Sequence, residues 1–141
     1  MKRSWTTLGL LSPDKGYDRS AGRLATEVRT IDIKVETRSV GGWTVIDVEG
    51  EVDVFTAPKL RESIIGLLGE GKEKLIVNLE NVAFMDSTGL GVLVGGLKRV
   101  KERNGELAIA GAQGTVLRVL NVTGLNAVFP MRDSVDAATS A

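Results

Sequence analysis

The chain contains no cysteine and no histidine. Without cysteine there are no disulfides, no thiolate chemistry and no soft metal site, a composition that fits a reducing compartment such as the cytoplasm. Without histidine there is no imidazole ligand and no Ser-His or Cys-His nucleophile pair, so most hydrolase and metalloenzyme designs are excluded. Carboxylates, lysines and hydroxyls remain for catalysis, and the chain is expected to be no enzyme and to carry no cofactor. A surplus of charge is missing as well. Lysine plus arginine and aspartate plus glutamate stand at 18 each, so no overall field draws the chain to nucleic acid or to an anionic membrane. No apolar run approaches the roughly 20 residues needed to span a bilayer, so no membrane insertion is expected. Lys2 and Arg3 precede Leu8-Gly9-Leu10-Leu11, an apolar stretch too short for a signal peptide.

What is present is enough for one core. At 141 residues and 43% hydrophobic content, the chain is long enough for one domain and too short for two ordinary ones. Residues 1–30 show neither the helical nor the strand period and read as a flexible extension. From Ile31 the pattern alternates, Ile31, Ile33 and Val35 against Asp32, Lys34 and Glu36, which predicts a half-buried strand. A slightly long turn at Gly41-Gly42 leads into a second alternating run, Trp43 to Gly50, and Gly50 closes the hairpin. Thr56 is placed to cap a helix running to about Leu68, with the apolar stripe Ala57, Leu60, Ile64, Leu67 and Leu68. Leu75-Ile76-Val77-Asn78-Leu79 reads as a central strand covered on both faces. Further on, Leu107 to Ala110 reads as a strand, Thr115 to Leu120 as a short helix, and Ala127-Val128-Phe129 as an edge strand; 133–141 form a tail or short helix. The order β-β-α-β-α-β-α-β predicts an α/β fold with a mixed sheet of about four to five strands and helices packed against it.

The segment Phe84-Met85-Asp86-Ser87-Thr88-Gly89-Leu90-Gly91 joins the central strand to a helix whose apolar residues recur as Leu90, Leu93, Val94, Leu97 and Val100. Asp86, Ser87 and Thr88 can all accept from the free N–H groups of a first turn, and one reading of Ser87 is a plain N-cap. Gly89, Gly91, Gly95 and Gly96 make this helix less stable than its length allows, since interior glycine costs about 1 kcal/mol relative to alanine. Thr88, Gly91, Val92, Gly95 and Arg99 share one nearly bare face. That face suits either close docking of a partner beside an accessible serine or tight packing within the chain. Basic residues at Lys98, Arg99, Lys101 and Arg103 favour the negative end of the helix dipole, and Asn104-Gly105 stops the helix.

Taken together, Gly50-Glu51-Val52-Asp53 with Thr56-Ala57, the strand at 75–79, the segment from Phe84 to Gly91, and Leu120-Asn121-Val122-Thr123-Gly124-Leu125 resemble the STAS-domain anti-sigma-factor antagonists of bacteria. The resemblance covers 31–132 and implies a STAS-like single domain there. It implies that Ser87 is phosphorylated by an ATP-dependent anti-sigma factor with serine kinase activity. In that family the unphosphorylated antagonist binds the anti-sigma factor and frees the sigma factor; phosphorylation releases it, and a metal-dependent serine phosphatase restores it. Asp53 matches the family's aspartate near the phosphorylated serine, and Asp86 the residue before it. The expected partner-binding residues are therefore Asp53, Asp86, Thr88, Gly89, Gly91, Val92 and Gly95, with the oligomeric state left open. Two other readings stand beside this one. The first is a STAS component of another assembly, such as a stress-signalling scaffold or a lipid-transport complex. The second is a nucleotide-binding protein or hydrolase, because a glycine-rich helix N-terminus can hold phosphate. Against the second, the chain has no Gly-x-x-x-x-Gly-Lys-Ser/Thr loop and no evident base or metal cluster.

Overall fold

Alternating residues need a partner strand before they can bury one face, and the chain supplies it at once. The structure, a computed structural model, describes residues 33–140. The extension expected over 1–30, and Ile31 with it, lies outside those residues. Strand β1 (Lys34–Val40) folds back on β2 (Trp43–Val52) in antiparallel register, with Val40 opposite Trp43. The turn is thus tighter than the sequence implied. Gly41 and Gly42 have φ of 53° and 89°, and two successive left-handed residues reverse a twisted hairpin in the least length. Gly50 ends only the pairing with β1. Strand β2 runs on to Val52 along β3 (Lys74–Met85), pairing in parallel with a register shift between Gly50 and Glu51.

Helix α1 (Ala57–Gly69) buries the whole predicted stripe, Ala57, Leu60, Ile64, Leu67 and Leu68, with Pro58 in the first turn where no N–H is needed. Its end is a glycine cap: Gly71, at φ 85°, donates to Leu68 O, and Lys72 donates to Leu67 O. Thr56 sits at the N-cap position but makes no side-chain cap bond, contrary to the expectation from sequence. Its hydroxyl is engaged with Glu51 and Asp53 instead.

Strand β3 is central, and α2 (Ser87–Lys101), β4 (Glu106–Ala110), α3 (Gly114–Val122), β5 (Met131–Arg132) and α4 (Val135–Thr139) complete the described residues. The five strands lie in chain order, with β2 to β5 parallel and only β1 antiparallel. A sheet that grows in one direction through crossovers of one hand puts every crossover helix on the same face. Accordingly Leu60, Ile64, Leu93, Leu97, Val116 and Leu120 of α1, α2 and α3 share one core with Ile46, Leu75, Val77, Leu79 and Ile109. The opposite face, Val45, Ile76, Ala108 and Ala110, is covered by Val135 and Ala138 of α4.

The strand expected at Ala127-Val128-Phe129 is absent. Gly124, at φ 80°, ends α3, and Leu125–Ala127 form a 3-10 turn to which Val128 and Phe129 add donors at Leu125 O. Phe129 is buried through its side chain and Val128 is 50% exposed, so the apolarity there serves the core and not a ladder. Pairing begins one residue later, where Ile109 donates to Pro130 O and Gly111 to Arg132 O. Pro130 can contribute a carbonyl but no N–H.

On the α4 face, Asp47 accepts from Arg38 Nε at 2.7 Å and from Asn78 Nδ2 at 2.8 Å. The Arg38 hydrogen bond, helped by Asn78, holds the Asp47 carboxyl below its ordinary range. A carboxyl depressed in the folded state stabilises above its unfolded pKa of about 3.9, and that contribution is lost as pH falls through the folded value. Asp47→Asn keeps an oxygen for Asn78 and removes the charge. It is expected to lower stability by about 0.5–1 kcal/mol at pH 7, the scale of a partly exposed ion pair, and urea melts are expected to show the gap from wild type narrowing as pH falls below the ordinary carboxylate range and through the depressed Asp47 value.

Candidate functional site

Parallel strands place their carboxyl ends on one edge of the sheet, and the motifs found in the sequence meet there. Val52, the last residue of β2, pairs with Met85, the last of β3, and Asp86 N–H donates to Val52 O at 3.1 Å. The chain after Val52 therefore leaves beside the chain after Met85. Asp53 and Asp86, distant in sequence, begin adjacent loops.

Asp86 is the N-cap of α2. Its backbone is extended, φ −99° and ψ −171°, and Oδ1 accepts from Thr88 N–H at 2.9 Å and Gly89 N–H at 3.2 Å. Ser87 is consequently the first helical residue and not a cap, which removes the plain structural reading of its hydroxyl. Ser87 and Thr88 are exposed, and among the described residues nothing hydrogen-bonds the Ser87 side chain. Asp53 Oδ1 accepts from Phe55 N–H at 2.9 Å and Thr56 N–H at 3.0 Å. The buried Thr56 Oγ1 in turn accepts from Asp53 N–H at 2.9 Å and donates to Glu51 O at 2.7 Å. Asp53 thus braces the loop before α1 through its side-chain oxygen.

The glycines of α2 divide by task. Gly89, expected on the docking face, is buried; a Cβ there would meet Met85 Cγ at 2.6 Å and Val52 Cγ1 at 2.7 Å. Gly96 lies against Ile64. A Cβ added at Gly91 or Gly95 would have nothing within 4 Å, and both open, with Thr88, Val92 and Arg99, onto a groove of about 270 Å³ between α1 and α2. Val94, placed in the core stripe by its spacing, is 41% exposed, because α1 packs over Gly96 and turns that side of α2 inward. The sequence patterns did not single out Arg61 and Ile65, which line the groove from α1, nor the exposed Val54 and Phe55; Phe84, first residue of the motif segment, is exposed too. Arg61 and Ile65 are four residues apart on the polar side of the α1 stripe, and that i, i+4 spacing is the signal that could have marked them.

The STAS domain family model matches residues 34–138. The chain belongs to the STAS domain family. It is 35% identical over 106 residues to an anti-sigma-B factor antagonist of Staphylococcus aureus, a match covering 75% of this chain and 98% of that protein. The STAS fold here is similar to an anti-sigma factor antagonist from Mycobacterium paratuberculosis, with TM-score 0.71, 27% identity, and coverage of 77% of this chain and 92% of that one. It also shares its fold with the Bacillus cell-fate determinant SpoIIAA in the phosphorylated form, with TM-score 0.62, 23% identity, and coverage of 76% and 97%. No helix of the STAS domain among the described residues is long and apolar enough to cross a membrane.

The glycine division is open to test. Gly91→Ala and Gly95→Ala are each expected to raise stability by about 0.5–1 kcal/mol in chemical denaturation, because the new methyl meets no neighbour and helix entropy improves. Gly89→Ala is expected to lower it by about 1–3 kcal/mol, since Val52 and Met85 must move.

Proposed function

We propose that this STAS protein is an anti-sigma-factor antagonist that binds an anti-sigma factor with serine kinase activity and is switched off by phosphorylation at Ser87. In this reading the unphosphorylated form sequesters the anti-sigma factor and frees a sigma factor in the cytoplasm. A metal-dependent serine phosphatase returns the modified form to use. The names of the relatives support the class, and one observation carries the site: Asp86 performs the capping, which leaves the Ser87 hydroxyl exposed in the first turn with no structural task. The docking surface is Asp86, Thr88, Gly91, Val92 and Gly95; Gly89 supports it from beneath, and Asp53 braces the loop beside it.

Magnitudes decide where a phosphate acts. It adds close to two negative charges at pH 7 beside the positive end of α2. The helix dipole favours an anion there by about 0.3–1 kcal/mol, and repulsion from the solvated Asp86 carboxylate opposes it on the order of 1 kcal/mol. These nearly cancel, so folding is little affected. An interface is different, because burying an unpaired dianion beside Asp86 costs several kcal/mol.

Intact and peptide mass spectrometry of the protein incubated with ATP and the anti-sigma kinases of its own organism tests the reading. A single phosphate at Ser87 is expected, with Ser87→Ala binding the kinase constitutively and Ser87→Asp binding at least tenfold more weakly. No phosphate from active kinases would return Ser87 to an ordinary surface residue, and equal binding by the two variants would remove the charge mechanism.

A further inference from the structure

Phe55 is 85% exposed, the most exposed of the large apolar side chains described, and its neighbour Val54 is exposed too. An exposed aromatic on a mobile loop needs no explanation. This loop is pinned, however. Asp53 Oδ1 takes the Phe55 and Thr56 N–H groups, and the buried Thr56 hydroxyl ties Asp53 N–H to Glu51 O. A Thr56 N–H bond to Asp53 O at 3.2 Å closes the turn. The backbone that carries the ring is therefore fixed by a network rooted in the fold, with the side chain left in water. Phe84, opposite Glu51 in the ladder, adds a second exposed ring face on the same edge of the sheet. Aromatic side chains on a backbone with little ordering entropy left to lose are what protein interfaces use as anchors.

Position says what covers it. Val52 O bonds Asp86 N–H, and the tight turn keeps Phe55 close to Asp53, so the Phe55 backbone is no more than about 15 Å from that of Ser87. A standard interface of about 800 Å² per partner is a disc of roughly 16 Å radius. A protein that grips Ser87 closely enough to modify it also covers this knuckle.

We infer that Phe55 is an anchor that enters an apolar socket on the anti-sigma factor, and that Asp53 is its positioning residue. Asp53 acts by holding the turn, through one oxygen and not through its charge. The inference rests on the function proposed above and adds to it a contact outside the phosphorylated segment.

The test is calorimetric binding of the full chain to the anti-sigma kinase of its own organism that phosphorylates it. Phe55→Ala is expected to weaken binding at least thirtyfold with an unchanged melting temperature, since the side chain touches little of the fold. Asp53→Asn, which keeps the oxygen and loses the charge, is expected to stay within threefold of wild type. Asp53→Ala is expected to weaken binding tenfold or more, and the Asp53→Ala, Phe55→Ala double variant to bind no more weakly than Phe55→Ala, because the one acts through the other. Binding by Phe55→Ala within threefold of wild type would overturn the anchor and leave the proposed function standing. Equal losses in Asp53→Asn and Asp53→Ala would make Asp53 a direct charge contact and overturn its positioning role. If Asp53→Ala does not fold, Phe55→Ala at its exposed position decides the anchor alone. Failure of the wild type to bind any anti-sigma factor would overturn the function itself and the anchor's partner with it.

Discussion

One hydrogen bond organises this edge of the molecule. Asp86 N–H to Val52 O is the last rung between β2 and β3, and it fixes two loops relative to each other that the 33 residues between Val52 and Asp86 would otherwise leave independent. It also sets the extended backbone of Asp86, and an extended residue just before a helix is the one whose side chain can reach the N–H groups two and three positions on. The cap, the exposure of Ser87 and the closeness of the Asp53 turn all follow from that rung. The apolar residues beneath it, Val52 and Met85, are buried and take Gly89 against them, so the helix start is held by packing as well as by polarity.

Much of the fold was legible because its signals are local and redundant. The run Leu75 to Leu79, apolar but for Asn78, called for cover on both faces, and α1 declared its stripe at five positions that all prove buried. The family motifs were legible for the same reason, as short runs of fixed spacing. What stayed hidden was decided by tertiary register. Asp86, Ser87 and Thr88 are equivalent as cap candidates by residue type; only the ladder selects Asp86. Helical spacing admits Val94 or Gly96 to the core, and Ile64 of α1 selects Gly96. Ala127-Val128-Phe129 looks like a strand because it is apolar, yet a single ring anchoring a 3-10 turn meets the same need. The groove between α1 and α2 belongs to two helices, so no period within either one reveals it.

The sheet also bears on the competing chemistry. Its strands follow one another in chain order from β1 to β5, so the order never reverses among the described residues. Open α/β sheets that bind nucleotides do so in the crevice formed at such a reversal, between helices diverging to opposite faces. Here the three crossover helices stand on one face, and the loops of the carboxyl edge adjoin a bare helix surface and the open groove between α1 and α2. An edge of that shape suits a broad protein contact better than an enclosed small ligand.

The separation of Asp86 from Ser87 reaches beyond binding. Proteolytic loss in a cell follows the small fraction of molecules that are open, and that fraction follows folding free energy. With the cap on Asp86 and the proposed phosphorylation site on the next residue, a charge added at Ser87 would change that free energy little. Under the proposed switch the two forms would share one lifetime, and their ratio would record the balance of the proposed kinase and phosphatase, undistorted by selective clearance of either.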